Sequence, residues 1–307
     1  MRTKKVTKSG ISITNFWFNS PVKTNYEPNN TAYGYILRNN SKSLAIFVHG
    51  LRAKSCDPWN NIGITLLRGG FDALFLRLPY HGRRAVPSYP LGDYFLQVNP
   101  VRQLENFEQA VLEIRTCIDF FGKDYDNIYI IGTSLGAIIS IITMAQDKRV
   151  KKGVFINLGG DFSKIVWYGM GLKEFRIRHL KENVTLSKCK NTRAYFSEFL
   201  AKVKKCNNIE EIWKIELPGE RCYPESGFNI PSECYYADPL TFAKFVKDRS
   251  LFLINSAFDQ TIRYASKKMI INELGRPLTL WLPCDHISIG VLRELVMRKT
   301  VSYLRFR

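Results

Sequence analysis

The residue best placed for covalent chemistry is a serine between two glycines. Ser134 is the centre of the run G-T-S-L-G at residues 132–136. An apolar, β-branched segment precedes this run at residues 128–131, and a mostly apolar segment follows it at residues 137–142. Five such residues can form an ordinary glycine-rich turn, but a strand before them and a helix after them favour a nucleophile on a sharp, strained turn. Glycines on both sides fit a turn that leaves no room for a Cβ.

A second motif ends another apolar run. Residues 44–48 are followed by His49-Gly50-Leu51. With the serine motif, this step resembles the α/β-hydrolase superfamily, in its form of serine esterases and lipases with a helical cap. In that family, a His-Gly step after the third strand carries one backbone donor of the oxyanion hole, and the residue after the nucleophile carries the other. The resemblance implies that these donors are the N–H groups of Leu51 and Leu135.

A serine hydroxyl needs a base within hydrogen-bonding reach, and that base needs an orienting acid. The sequence has four histidines. His49 belongs to the oxyanion turn, His81 precedes the serine, and His179 lies in a long insertion. His286 follows the strand-like residues 278–282. The family order of serine, acid and histidine therefore implies that His286 is the base.

The acid of the triad has more than one candidate. Asp259 follows the strand-like residues 251–255, which is the usual place for it in the resembling family. Asp161 occupies the alternative place, after the sixth strand. Asp238 and Asp285 are further candidates, although Asp238 is better explained as a helix cap. We expect Asp259 to orient His286, in a triad of Ser134, Asp259 and His286.

Three residues are candidates for contact with a substrate. His81 lies in a loop that borders the site in the resembling family, although a loop histidine bonded to a backbone carbonyl is the alternative. Trp167 and Tyr168 lie in the aromatic-rich insertion, where some rings are expected to line a pocket and most to form the core of the insertion. Arg83 and Arg84 are expected to face water.

The resemblance implies a mostly parallel, eight-stranded sheet flanked by helices, with a mainly helical cap inserted after the sixth strand. The predicted domains are a core of residues 1–160 and 238–307 and a cap of residues 161–237. Within the cap, residues 172–180 and 191–205 are predicted to be helical, and residues 217–231 to be a loop. The strand-like segments are residues 11–18, 33–37, 44–48, 73–78, 128–131, 153–158, 251–255 and 278–282.

Two helices of the core have clear start signals. Asp57-Pro58 predicts a helix that ends before Gly69-Gly70, and Asn99-Pro100 predicts another with one buried face through Ile118. The first ten residues are basic and lack the apolar segment of a secretory signal, so we expect a frayed tail. No apolar run reaches the ~20 residues of a membrane span.

Composition limits the compartment and the partners. Seven cysteines without metal-ligand spacing favour a reducing compartment, so we expect a cytoplasmic protein that needs no metal and no cofactor. The net charge of +18 is scattered and accompanies no nucleic-acid motif. It therefore predicts no nucleic-acid binding, and at most a weak association with an anionic membrane surface. The sequence leaves the oligomeric state open.

These observations predict a carboxylic-ester hydrolase that acts on a small-molecule acyl ester through an acyl-enzyme intermediate. Cleavage of amide or thioester bonds, and acyl transfer to an acceptor other than water, use the same machinery and stay open. Two other functions also remain as alternatives: a catalytically silent ligand-binding protein with the same fold, and a lysophospholipase-like enzyme at anionic membranes.

Overall fold

One mixed β-sheet runs through the molecule. Its structure is a computed structural model, which describes residues 1–8, 11–53, 61–215 and 231–306. Within these residues the sheet has nine strands in the order β1-β2-β3-β5-β4-β6-β7-β8-β9. The strands are β1 (Arg2–Lys8), β2 (Ile11–Asn19), β3 (Thr31–Arg38), β4 (Ser43–Val48), β5 (Asp72–Leu76), β6 (Asn127–Thr133), β7 (Val150–Ile156), β8 (Ser250–Ser256) and β9 (Leu278–Leu282).

The six strands from β5 to β9 are parallel, whereas β1, β2 and β3 join the sheet as antiparallel neighbours. Parallel strands covered on both faces read as continuous apolar runs, which is why β4, β6, β7 and β8 could be found in the sequence. The structure has the predicted α/β-hydrolase fold. The carboxyl ends of its parallel strands meet at one edge, where such sheets carry their sites.

The expectation of a frayed N-terminus is wrong. Residues Arg2–Lys8 form β1, which pairs with β2 from Arg2 opposite Trp17 to Lys8 opposite Ile11. Over the described residues the sheet therefore has nine strands instead of eight, and the predicted strands one to eight are β2 to β9. Because the side chains from Arg2 to Thr7 are all exposed, β1 lacks the polar–apolar alternation by which a half-buried strand is recognised.

The described residues also form eleven α-helices. They are α1 (Asn61–Arg68), α2 (Pro100–Phe121), α3 (Leu135–Gln146), α4 (Phe162–Tyr168), α5 (Lys173–Lys181), α6 (Leu186–Ala194), α7 (Phe196–Val203), α8 (Pro231–Tyr236), α9 (Pro239–Phe242), α10 (Tyr264–Glu273) and α11 (Arg293–Arg305).

Helices cover both faces of the sheet, and strand β4 shows how the chain separates the two. Leu44, Ile46 and Val48 pack in one apolar cluster with helices α2, α3 and α10. Ala45 and Phe47 point to the opposite face and pack in a second cluster with helices α1 and α11. Alternating side chains along one strand therefore serve two cores.

The predicted helix starts hold where the structure describes them. The side chain of Asn99 accepts a hydrogen bond from the N–H of Arg102 and caps α2, and Asp238 likewise caps α9 through the N–H of Leu240. Two predictions lie outside the described residues. They are the start of a helix at Asp57-Pro58 and the loop at residues 217–231, of which only residue 231 is described.

Helices α4 to α8 lie between β7 and β8, in the segment predicted to be a cap. The predicted helix at residues 191–205 is two helices, α6 and α7. Phe196, Phe199 and Tyr235 belong to the same apolar cluster as α2 and α3, so this part of the insertion packs on the core of the sheet domain. None of the helices in the described part of the chain combines the length and apolar character that crossing a bilayer requires.

Candidate active site

Ser134 lies on a strained turn between β6 and α3. Its backbone has φ 53° and ψ −118°, outside the regions that a serine ordinarily adopts. A Cβ on Gly132 would lie 2.4 Å from the carbonyl oxygen of Gly136, and a Cβ on Gly136 would lie 2.2 Å from that of Val48. Only glycine fits at either position. The turn thus presents the Ser134 hydroxyl at the carboxyl edge of the sheet.

The turn after β4 lies directly beside this serine. A Cβ on Gly50 would be 3.4 Å from the Cβ of Ser134, which is van der Waals contact. Leu51 follows Gly50 at once. Helix α3 begins at Leu135, so the N–H of Leu135 has no acceptor within the helix. The two predicted oxyanion donors therefore belong to backbone segments that adjoin the serine from two sides.

His286 reaches the serine from the loop after β9. Its Nε2 lies 3.0 Å from the Oγ of Ser134. The neighbouring Asp285 is occupied by its own turn, because its Oδ1 accepts hydrogen bonds from the N–H groups of Ile287 and Ser288. Asp285 therefore stabilises the loop that carries His286. Its carboxylate is not bonded to the imidazole, as that of a triad acid would be.

Asp259 is hydrogen-bonded to the ring of this histidine. Its Oδ2 lies 2.8 Å from the Nδ1 of His286, and its Oδ1 accepts hydrogen bonds of 2.8 Å from the N–H groups of Thr261 and Ile262. Burial by itself would raise the pKa of Asp259, but the hydrogen bond and charge of His286 and the ammonium of Lys267 outweigh burial and lower it. An ionised Asp259 must accept, so the Nδ1 of His286 carries the proton and its Nε2 is free to act as a base.

Lys267 is a part of the site that the sequence analysis missed. Its Nζ lies 2.7 Å from the Oδ2 of Asp259, and its side chain is fully buried. A signal for it exists, since Lys267, Ile270 and Leu274 follow the i, i+3, i+7 spacing of one helix face. A lysine on an apolar face can equally turn its charge outward, so the spacing alone identifies the face and not the partner.

The alternative acid, Asp161, has different partners. Its Oδ1 lies 2.8 Å from the guanidinium of Arg193, which also lies 2.9 Å from the Oδ2 of Asp238. Asp238 further accepts the backbone N–H groups of Asp161 and Phe162. These contacts join the first residues of the insertion to the start of α9. The carboxylate bonded to His286 is that of Asp259 and not that of Asp161.

His81, expected to contact substrate, is fully buried. Its Nδ1 donates to the carbonyl oxygen of Pro79 over 2.8 Å, and its ring packs against His49 and Phe95. Burial and the charges of Arg77 and Arg84 lower its pKa to about 4. An enclosed ring cannot reach a bound ester, so the expectation is corrected: the structure matches the alternative of a loop-supporting histidine.

Arg84 also departs from expectation, because it is buried. Its guanidinium forms two hydrogen bonds of 2.6 and 2.7 Å with the carboxylate of Glu113 on helix α2. Arg83 is exposed, as predicted. The pair of Arg84 and Glu113 anchors the loop after β5 to helix α2.

Trp167 and Tyr168 end helix α4. Trp167 is half-buried and packs edge-to-face on His179, while Tyr168 is exposed. Both line a cavity of about 220 Å³ with Asp161, Cys189 and other residues of the insertion. Their predicted contact with substrate remains a prediction.

Searches against known proteins give a likeness in structure only. The sequence matches no protein-family model and no curated protein. Its fold resembles a cold-adapted esterase from an Arctic intertidal metagenomic library, with a TM-score of 0.57, 13% identity, and coverage of 98% of this chain and 96% of the other. It also resembles acetyl xylan esterase 1 from a Thermoanaerobacterium species, with a TM-score of 0.63, 16% identity, and coverage of 98% and 87%.

A third neighbour is the acylaminoacyl peptidase of Pyrococcus horikoshii, with a TM-score of 0.59 and 15% identity, matched over 99% of this chain and 42% of that one. At these identities the comparisons establish the fold. They define the class of protein as one with the α/β-hydrolase fold.

Proposed function

We propose that this protein is a serine hydrolase that cleaves carboxylic esters of small molecules. The observation that carries the proposal is the chain of hydrogen bonds from Ser134 through His286 to Asp259, at 3.0 and 2.8 Å, on a strained strand–helix turn. The esterases among the structural neighbours support the choice of an ester.

The geometry supports a two-stage reaction. His286 accepts the hydroxyl proton of Ser134 as its Oγ attacks the acyl carbonyl, and the imidazolium returns that proton to the leaving alcohol. Water, deprotonated by the same histidine, then attacks the acyl-enzyme. The bond between the acyl carbon and the Oγ of Ser134 breaks, Oγ takes the proton from the imidazolium, and the acid is released. The N–H groups of Leu51 and Leu135 stabilise both oxyanions, and a donor of this kind is worth ~3–4 kcal/mol in the transition state.

The alternative of a silent binding protein explains less of the structure. Such a protein would have no use for a serine in a strained conformation, which costs about 1–3 kcal/mol and persists only where the surroundings enforce it. Here the surroundings do enforce it, through Gly132 and Gly136. The strained conformation thus serves to present the hydroxyl of Ser134.

A fluorophosphonate probe tests the proposal, because it reacts covalently with activated serines. We expect an adduct on Ser134 in the wild type and loss of both the adduct and p-nitrophenyl acetate hydrolysis in Ser134→Ala. Ser163→Ala is the matched control, because its hydroxyl bonds to Asp161 and not to the triad. An adduct on another serine, or none on the folded protein, would end the hydrolase proposal.

A further inference from the structure

The ammonium of Lys267 is bound by three acceptors, one of which is the carboxylate of Asp259. Its Nζ lies 2.7 Å from the Oδ2 of Asp259, 2.8 Å from the Oδ1 of Asn157 and 3.0 Å from the carbonyl oxygen of Ser256. These contacts use all three N–H donors of an ammonium. The side chain is 0% exposed, so the charge has no help from water.

The acceptors are fixed by the ends of two neighbouring strands. Asn157 directly follows β7 and has φ 53°, and Ser256 is the last residue of β8. The amide of Asn157 also binds Ser256, because its Nδ2 donates to the Ser256 Oγ and its Oδ1 accepts from the Ser256 N–H. A buried charge is tolerated only with such satisfied partners. Lys267 is therefore held rigidly in one place.

Lys267 and His286 use the same oxygen of Asp259. The Oδ2 accepts from the Nδ1 of His286 over 2.8 Å and from the Nζ of Lys267 over 2.7 Å. The Oδ1 is taken by two backbone N–H groups. The carboxylate that would stabilise a protonated His286 is thus shared with the buried ammonium of Lys267.

We propose that Lys267 is a positioning residue for the ester hydrolysis proposed above, on which this inference rests. Its ammonium fixes the Asp259 carboxylate and offsets its negative charge, so that the pair of Asp259 and His286 acts as a base at a lower pH than it would without the lysine. Without the ammonium, the pair of Asp259 and His286 would carry a full negative charge in a buried setting. It would then bind a proton more readily, whichever member held it.

The groups around the ammonium determine the sign of the effect. Burial lowers the pKa of Lys267, and the charge and hydrogen bond of Asp259, with a smaller contribution from Cys284, oppose that lowering. The ring of Trp281 lies 6.0 Å from the ammonium. His286 faces it across the Asp259 carboxylate. Removing the positive charge favours the imidazolium, so the rise of activity with pH should move to higher pH by about one pH unit or more.

The experiment measures the rate of fluorophosphonate labelling and the kcat/KM for p-nitrophenyl acetate from pH 4.5 to 9. The variants are Lys267→Met, which removes charge and donors, and Lys267→Gln, which removes the charge but keeps a donor. Lys268→Met is the control, because Lys268 is exposed on the same helix. Circular dichroism and thermal unfolding establish that each variant folds.

We expect the midpoint of the rise to move to higher pH in both Lys267 variants and to stay unchanged in Lys268→Met. A shift in Lys267→Met alone would assign the effect to the lost hydrogen bond and overturn the role of the charge. Midpoints equal to the wild type in folded variants would overturn the proposal, as would failure of both variants to fold. A wild type that is not labelled at any pH would instead refute the hydrolase function itself.

Discussion

The carboxylate of Asp93 binds the guanidinium of Arg52 through two hydrogen bonds of 2.6 Å, one on each oxygen. Arg52 directly follows Leu51, the predicted oxyanion donor. Arg52 also donates to the carbonyl oxygen of Gly171, and the carbonyl oxygen of Asp93 accepts from Arg178 on helix α5. The ion pair thus joins the turn after β4 to the loop after β5, and the two further hydrogen bonds join both loops to the inserted segment.

This relationship predicts that Asp93→Asn slows catalysis without touching the triad. The bidentate pairing is lost, the turn at Leu51 gains freedom, and a displacement of a fraction of an ångström should lower kcat/KM about tenfold. Steady-state hydrolysis of p-nitrophenyl acetate measures the effect. Asp124→Asn, which breaks the exposed pair with Arg38, serves as control. Equal rates for the Asp93 variant and the wild type would show that the pair does not govern the turn.

The two acid candidates should differ sharply. Asp259→Asn should lower kcat by up to ~10⁴-fold, because an amide no longer enforces the tautomer of His286 in which Nε2 is free. Asp161→Asn should retain most of the activity, because its carboxylate binds Arg193 and not the histidine. Turnover of the two purified variants decides the assignment, and an inactive Asp161 variant beside an active Asp259 variant would reverse it.

The inserted segment should affect the choice of acyl chain if it caps the site. Trp167→Ala and Tyr168→Ala are then expected to change the ratio of kcat/KM for long and short p-nitrophenyl esters, because both rings end the first helix of the insertion. Phe175→Ala provides a stability reference, since Phe175 is buried. If the ratio is unchanged in both folded variants of the α4 rings, these rings do not line the acyl pocket.

Stability should fall on moderate acidification, partly through His81. Its ordinary pKa of 6.5 is lowered to about 4 in the fold by burial and by Arg77 and Arg84. Between these values the unfolded chain binds a proton that the folded chain excludes, so the free energy of unfolding decreases as pH falls from 6.5 towards 4, by about 3 kcal/mol for this group. His81→Asn keeps a donor for Pro79 and should flatten that dependence in urea unfolding at several pH values. A slope equal to the wild type would contradict the assignment.

The buried pair of Arg84 and Glu113 should contribute far more to the stability of the protein than an exposed pair. Glu113→Gln leaves the guanidinium of Arg84 charged and without its carboxylate in a fully buried position, which should cost about 3–5 kcal/mol of unfolding free energy. Glu105→Gln on the same helix removes an exposed pair with Arg102 and should cost less than about 1 kcal/mol. Chemical denaturation compares the two, and similar losses would refute the distinction.

The features that could be predicted from sequence are those whose cause is local. Gly132 and Gly136 indicate the tight turn at Ser134, because that turn leaves no room for a Cβ on either side of the serine. His286 and Asp259 follow strands that appear in the sequence as apolar runs. The three side chains do lie in one hydrogen-bonded chain. Lys267 could not be assigned in this way, because its partners come from the ends of β7 and β8 and from the loop after β8.

The same distinction holds for the fold. Strands that are buried on both faces can be predicted because they consist of continuous apolar residues. Strand β1 is held by backbone hydrogen bonds to β2 and has no apolar run. The Ser9-Gly10 pair is a turn signal that could have suggested a hairpin. The burial of Arg84 cannot be predicted from its neighbours in the sequence, because its carboxylate partner, Glu113, lies on helix α2.

Strand β1 also bears on how copies of the molecule meet in solution. A strand at the end of a sheet is a template on which another chain can add a strand. Arg2, Lys4 and Lys5 are exposed, and because successive side chains alternate, the positive charge lies on both faces of this edge. Two copies approaching edge to edge would bring like charges together. The edge thereby resists self-association, and this protection weakens as salt shortens the range of the repulsion, which is about 8 Å at physiological ionic strength.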